Sequence, residues 1–231
     1  MLEKSLKDSW SFFKNHVVAL TSLILPIALP VSIFSSFYEY FHSGKEVALI
    51  NQFIPLIVSS VTYPVYTIAV IFYIASIVSD KHMDTATLWR LGLHHWFPYM
   101  ILSILINALV FFGVILLIIP GVIFAIRAAF AAFELLLNQK KPLDAIESSW
   151  QSTRDYMWVL LGGFIIISIV LYLPYILVFK IINPDGLLYW LVDAVAGVIY
   201  SILDVIFIIF AFRIYDFFRS KQNQIQVPNG A

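Results

Sequence analysis

Cysteine is absent from all 231 residues, which excludes disulfides, thiolate nucleophiles and Cys-ligated metals. Charge is nearly as scarce. Asp, Glu, Lys and Arg make up 12% of the chain, against roughly 25% in a soluble globular domain. That is too little to cover the surface of a water-exposed or disordered chain of this length. Neither sign is in excess, with 14 Lys+Arg facing 14 Asp+Glu, so the basic footprint of a nucleic-acid binder is missing. Gly-x-Ser-x-Gly, Walker A, His-Glu-x-x-His and EF-hand patterns are all missing too. The five histidines are His16, His42, His82, His94 and His95. The last three share one loop, but adjacent residues point to different helix faces. Catalytic residues, a metal site and a cofactor are therefore not expected.

What is present is apolar: 61% of the residues are hydrophobic and 16% aromatic. A helix needs about 20 mostly apolar residues to cross the hydrocarbon core. Six runs qualify: 17–37, 54–79, 99–119, 122–138, 158–179 and 187–212. The runs are continuous, not alternating, and unpaired strand backbone is not tolerated in lipid. The expected fold is an all-α polytopic bundle of six transmembrane helices over 1–221, followed by a polar tail at 222–231. Pro26, Pro30, Pro64 and Pro174 fall inside spans and imply kinked or locally broken helices.

Basic residues set the orientation. If six spans alternate, one side receives Lys4, Lys7, Lys14, Lys81, Arg90, Lys140, Lys141, Arg154, Arg213, Arg219 and Lys221. The other receives Lys45 and Lys180, and Arg127 lies within a span. An 11-to-2 division predicts six spans with cytoplasmic N and C termini. The first run has a basic flank but is too long for a signal peptide and lacks an Ala-x-Ala site, so it reads as a retained span.

Three stretches on the basic side resemble one another: Lys4 to Trp10, Asp84 to Trp89 and Asp144 to Trp150. Each places a tryptophan shortly before an odd-numbered span, as an interfacial helix does. Trp10, Trp89, Trp150 and Trp158 are the expected interfacial anchors. Pro142 suits the first turn of the third helix, and Lys140 and Lys141 suit anionic headgroups.

Four ionisable residues stand inside spans: Arg127, Glu134, Asp193 and Asp204. Each costs about 2.5–3.5 kcal/mol at mid-bilayer on insertion scales, so each needs a partner or a task. Arg127 and Glu134 are seven apart and Asp193 and Asp204 eleven apart, which returns each pair to within about 20° on one helix face. Gly197 and Tyr200 share the second face. Counted from the outer span ends, Arg127 and Asp193 both lie ~9 Å deep, which predicts an Arg127–Asp193 pair. Glu134 and Asp204 sit nearer the cytoplasm, where Arg154 or a lysine, protonation, or a wet cavity would satisfy them. Asn107 reads as interhelical glue, and Lys180 as a snorkelling cation.

The stretch Ile119-Pro-Gly-Val-Ile-Phe-Ala-Ile-Arg127, through Glu134 to Ala145-Ile-Glu-Ser-Ser-Trp150 and Tyr156-Met-Trp158, resembles the YciC-like family of bacterial inner-membrane proteins. It is more distantly similar to the membrane domain of glycerophosphodiester phosphodiesterases. Phe212-Arg213-Ile-Tyr215 is similar to the end of the YciC-like chain. The resemblance implies a six-span inner-membrane protein in envelope upkeep and supplies no catalytic residue. The expected function is non-enzymatic, in envelope maintenance or beside other inner-membrane proteins, with membrane lipids as partners. The alternative is a small-solute or proton-coupled transporter using Glu134, Asp193 and Asp204.

Overall fold

A computed structural model describes residues 1–42, 49–180 and 187–226; Lys45 and the tail beyond Gln226 lie outside the described residues. Among the described residues there is helix and turn, and no strand. The helices are α1 (Leu2–His42), α2 (Leu49–Val78), α3 (Thr85–His94), α4 (Trp96–Leu116), α5 (Ile118–Arg127), α6 (Ala131–Leu137), α7 (Pro142–Ser152), α8 (Met157–Phe179), α9 (Leu187–Leu203) and α10 (Val205–Gln226). Among the described residues, six segments are long and apolar enough to cross a membrane: Leu2–His42, Phe53–Val78, Trp96–Leu116, Ile118–Leu137, Arg154–Phe179 and Leu188–Gln222. Large apolar side chains stand outward along them. Ile104, Phe111, Ile115, Leu116 and Ile119 are all at least 61% exposed. A soluble monomer does not tolerate such contiguous patches, whereas hydrocarbon does. The chain is an all-α, multi-pass membrane protein.

Two span boundaries differ from expectation for local reasons. No proline or glycine separates Lys4 from Val17, so the first basic stretch is not a separate interfacial helix but the start of a 41-residue α1. Trp10 therefore stands on the spanning helix itself, while Trp89 and Trp150 do sit on short helices, α3 and α7. The helix also runs through Pro26 and Pro30 without a break in its assignment. At the other end α10 continues to Gln226, so the residues expected to open the polar tail are helical.

The contacts divide the chain into two compact units. One comprises Met1–Asn15, His95–Ile165 and Ile206–Ala231; the other comprises His16–His94 and Ile166–Val205. In the first, α4 and α5 form a tight hairpin on a single extended residue, Leu117, whose N–H donates to the Gly113 carbonyl. Glycine is required there because the backbones nearly touch. A Cβ on Gly113 would lie 2.8 Å from the Gly121 Cα. Beside the hairpin, Phe130, Phe133, Phe210, Phe212 and Tyr215 make a buried aromatic core, with Phe133 and Phe212 edge to face at 5.4 Å.

In the second unit, Leu88 of α3 is buried with Leu23 and Ala69, and Trp89 packs against that cluster. Asp84 opens α3 by accepting a hydrogen bond from the Thr87 N–H at 3.3 Å. The hydrogen bonds from Thr87 hold its carboxyl below the usual range.

Candidate functional site

In the first unit Arg127, Glu134 and Lys140 gather where α5, α6 and α7 meet. The fourth apolar run is not one helix. α5 ends at Arg127, residues 128–130 form a turn, and α6 starts at Ala131. The break is fastened from α7. Ser149 Oγ donates to the Arg127 carbonyl at 2.7 Å and accepts from the Phe130 N–H at 3.0 Å. Thr153 Oγ1 adds a longer bond to the same carbonyl at 3.3 Å. Ser149 and Thr153 are fully buried, so they supply the partners that backbone groups freed inside lipid require.

Below the break Glu134 is buried and charge-paired. Lys140 Nζ lies 2.8 Å from Glu134 Oε2 and donates to Ser148 Oγ at 2.6 Å. Asn138 Nδ2 donates to the same carboxylate at 2.8 Å and to the Tyr215 hydroxyl at 3.0 Å. The chain reverses between α6 and α7 through Gln139, whose φ of 52° is in the left-handed region. That strained residue is what folds Lys140 back over the carboxylate six residues earlier. Lys140 is thus the counter-ion of Glu134 and not the headgroup anchor expected of it.

Arg127 itself is 91% buried by its 9% exposure, with its guanidinium 4.8 Å from the Trp150 ring centroid in a cation–π contact. Phe124 packs on the same indole at 5.4 Å. The exposed Arg154 is close enough to repel it. The expected alignment of Arg127 with Glu134 assumed a continuous helix, which the turn at 128–130 removes. The expected Arg127–Asp193 pair joins residues of different units, and the partner seen for Arg127 within its own unit is Trp150. α5 starts at Ile118, so Arg127 lies nine residues, ~14 Å, from the hairpin end and not ~9 Å.

Asp193 and Asp204 belong to the second unit; Asp193 stands on α9, whereas Asp204 is the turn residue at which the expected sixth span breaks between α9 and α10. Ser36 Oγ donates to Asp193 Oδ2 at 2.6 Å, and the Tyr175 hydroxyl reaches Oδ1 at 3.5 Å. The Tyr172 hydroxyl donates to Asp204 Oδ1 at 2.8 Å. Tyr200 joins the two, stacked on Tyr172 at 5.9 Å and edge-on to Tyr175 at 4.9 Å. Gly197 lies beside Ser32, where a Cβ would come within 2.9 Å of the hydroxyl, as the small residue on that face requires. Glu39 lies within electrostatic reach of Asp193.

The remaining anchors differ in setting. Trp10 is half-exposed and stacks on Phe13 at 5.7 Å. Trp158 is 75% exposed on the first turn of α8. Sequence reasoning missed Ser149, Thr153, Asn138, Ser36 and Glu39. Only Ser149 carried a signal, through its place in the Ser-Ser-Trp150 stretch. No family model, curated protein or solved structure matches the chain, so its functional reading rests on this geometry.

Proposed function

We propose that the chain is a non-enzymatic protein of the bacterial inner membrane that serves envelope maintenance through the lipids and membrane proteins around it. The observation that carries the reading is the saturation of Glu134. The most deeply buried of the three span carboxylates is held by an ammonium and an amide together, leaving it a bundle fastener and not a proton carrier. The resemblance to the YciC-like family points the same way, as does the 11-to-2 division of basic residues, which favours cytoplasmic termini.

One observation favours transport as a second reading. Asp193 and Asp204 receive hydrogen bonds from neutral hydroxyls, and among the described residues of their unit no salt bridge reaches them. Carboxyls so placed in a membrane are candidates for proton binding. The test is a pH gradient across proteoliposomes, read with an entrapped dye. The proposed function predicts decay no faster than in protein-free vesicles. Faster decay that is abolished by Asp204→Asn would establish transport instead.

A further inference from the structure

Between the start of α1 and the middle of α10 lies a cavity of about 390 Å³. Its walls carry Lys4, Ser5 and Asp8 from α1 and Arg213, Asp216 and Ser220 from α10. The spacings within each set bring its members to one helix face. Both faces belong to the first unit, and they meet across the cavity. Beside it the Arg213 guanidinium reaches the Phe12 ring at 5.8 Å, one turn along α1 from Asp8.

Two cations and two carboxylates therefore line one cavity. They do not close on one another. Within this unit, among the described residues, the ion pairs are Lys7–Glu3 and Lys140–Glu134, and neither Lys4 nor Arg213 pairs with Asp8 or Asp216. Asp8, Arg213 and Asp216 are each partly buried, so they have given up hydration without gaining a counter-ion. An anion alone would face two carboxylates here, and a cation alone two bases. A ligand that carries both charges finds a partner for each. The volume is that of a small-molecule site, roughly 300–1,000 Å³. Both faces stand beyond the apolar runs 17–37 and 187–212, at the basic ends of their helices, where a spanning helix meets lipid headgroups.

We propose that this cavity binds a phosphate–ammonium zwitterion, the chemistry shared by the headgroup of phosphatidylethanolamine and free phosphoethanolamine. The phosphate takes Lys4 and Arg213, and the primary ammonium takes Asp8 and Asp216. Arginine's planar fork meets two phosphate oxygens at once, and an ammonium has three N–H donors for the two carboxylates. The inference deepens the envelope reading and rests on it for its cellular meaning. The two fail separately: a chain that conducts protons yet binds this zwitterion overturns the function and leaves the site.

The test is binding to the detergent-purified full chain by native mass spectrometry. The probes are phosphatidylethanolamine, phosphatidylcholine and phosphatidylglycerol with the same acyl chains, and phosphoethanolamine and glycerol phosphate. Phosphatidylethanolamine retained over the other two lipids identifies the lipid as the source. Phosphoethanolamine retained over glycerol phosphate, with no preference among the lipids, identifies the soluble zwitterion. Lys4→Gln should lower the affinity for the preferred zwitterion about tenfold, the equivalent of ~1.4 kcal/mol. Lys4 is exposed, so that variant keeps its fold even if Arg213→Gln, which also loses the Phe12 contact, does not. Asp8→Asn should weaken the zwitterion and strengthen its anionic counterpart, phosphatidylglycerol or glycerol phosphate, a reversal that damage to the fold does not produce. No preference in either set, an unchanged affinity in Lys4→Gln, or equal weakening of zwitterion and anion in Asp8→Asn would each overturn the site.

Discussion

Gly121→Val should destabilise the protein by about 3 kcal/mol, at the top of the usual range for overpacking. A Cβ on Gly121 runs into the Val114 side chain and would lie 2.8 Å from the Val114 backbone nitrogen. The facing Gly113 is as tight, with a Cβ there 2.9 Å from the Gly121 nitrogen. A side chain can change rotamer; two backbones joined by a one-residue link cannot move apart without opening the hairpin. Helix association in lipid depends on such close packing, since burial of apolar surface gives little drive there. Thermal unfolding in detergent checks the effect. Val122→Ala is the control, because Val122 is 40% exposed and its loss should shift the midpoint little.

The second large effect is asymmetric. Lys140→Ala should cost about 2 kcal/mol, between the roughly 0–1 kcal/mol of an exposed pair and the 3–5 kcal/mol of a fully buried one. It strands a carboxylate whose side chain is 5% exposed, whereas the Lys140 side chain is 37% exposed. Glu134→Gln should cost less, because the freed ammonium can turn to water while Asn138 keeps an amide partner. Combining Glu134→Gln with Lys140→Met should recover part of the loss in the lysine variant. Equal losses in the two single variants, adding in the double, would mean that the 2.8 Å pair contributes no coupling.

The six spans were legible because continuous apolar runs have one solution in lipid, a closed hydrogen-bonded helix. The face carrying Asp193, Gly197 and Tyr200 was legible because α9 keeps helical period to Leu203; Asp204 falls in the turn that follows, where its N–H still donates to the Tyr200 carbonyl at 2.8 Å. The interior of the fourth span was not. Ala128-Ala-Phe130 contains no proline or glycine, so nothing local announces a break. The turn persists because Ser149 and Thr153, about 20 residues downstream, satisfy the backbone it exposes. The Glu134–Lys140 pair was hidden for a related reason. A six-residue spacing does not join two side chains on one helix and needs the left-handed Gln139 to close it. Periodicity reads what a helix does alone; these two features depend on where a helix stops.

Which residues face the cytoplasm is directly measurable, because the chain has no cysteine. Glu3→Cys, His82→Cys, Asp144→Cys, Lys180→Cys and Gln222→Cys each give a single thiol for an impermeant maleimide added outside intact spheroplasts. Labelling at Lys180→Cys alone, with the other four reacting after the membrane is opened, is the predicted result. External labelling of Asp144→Cys, or of Glu3→Cys without Gln222→Cys, would contradict the six-span threading and remove the cytoplasmic setting of α7.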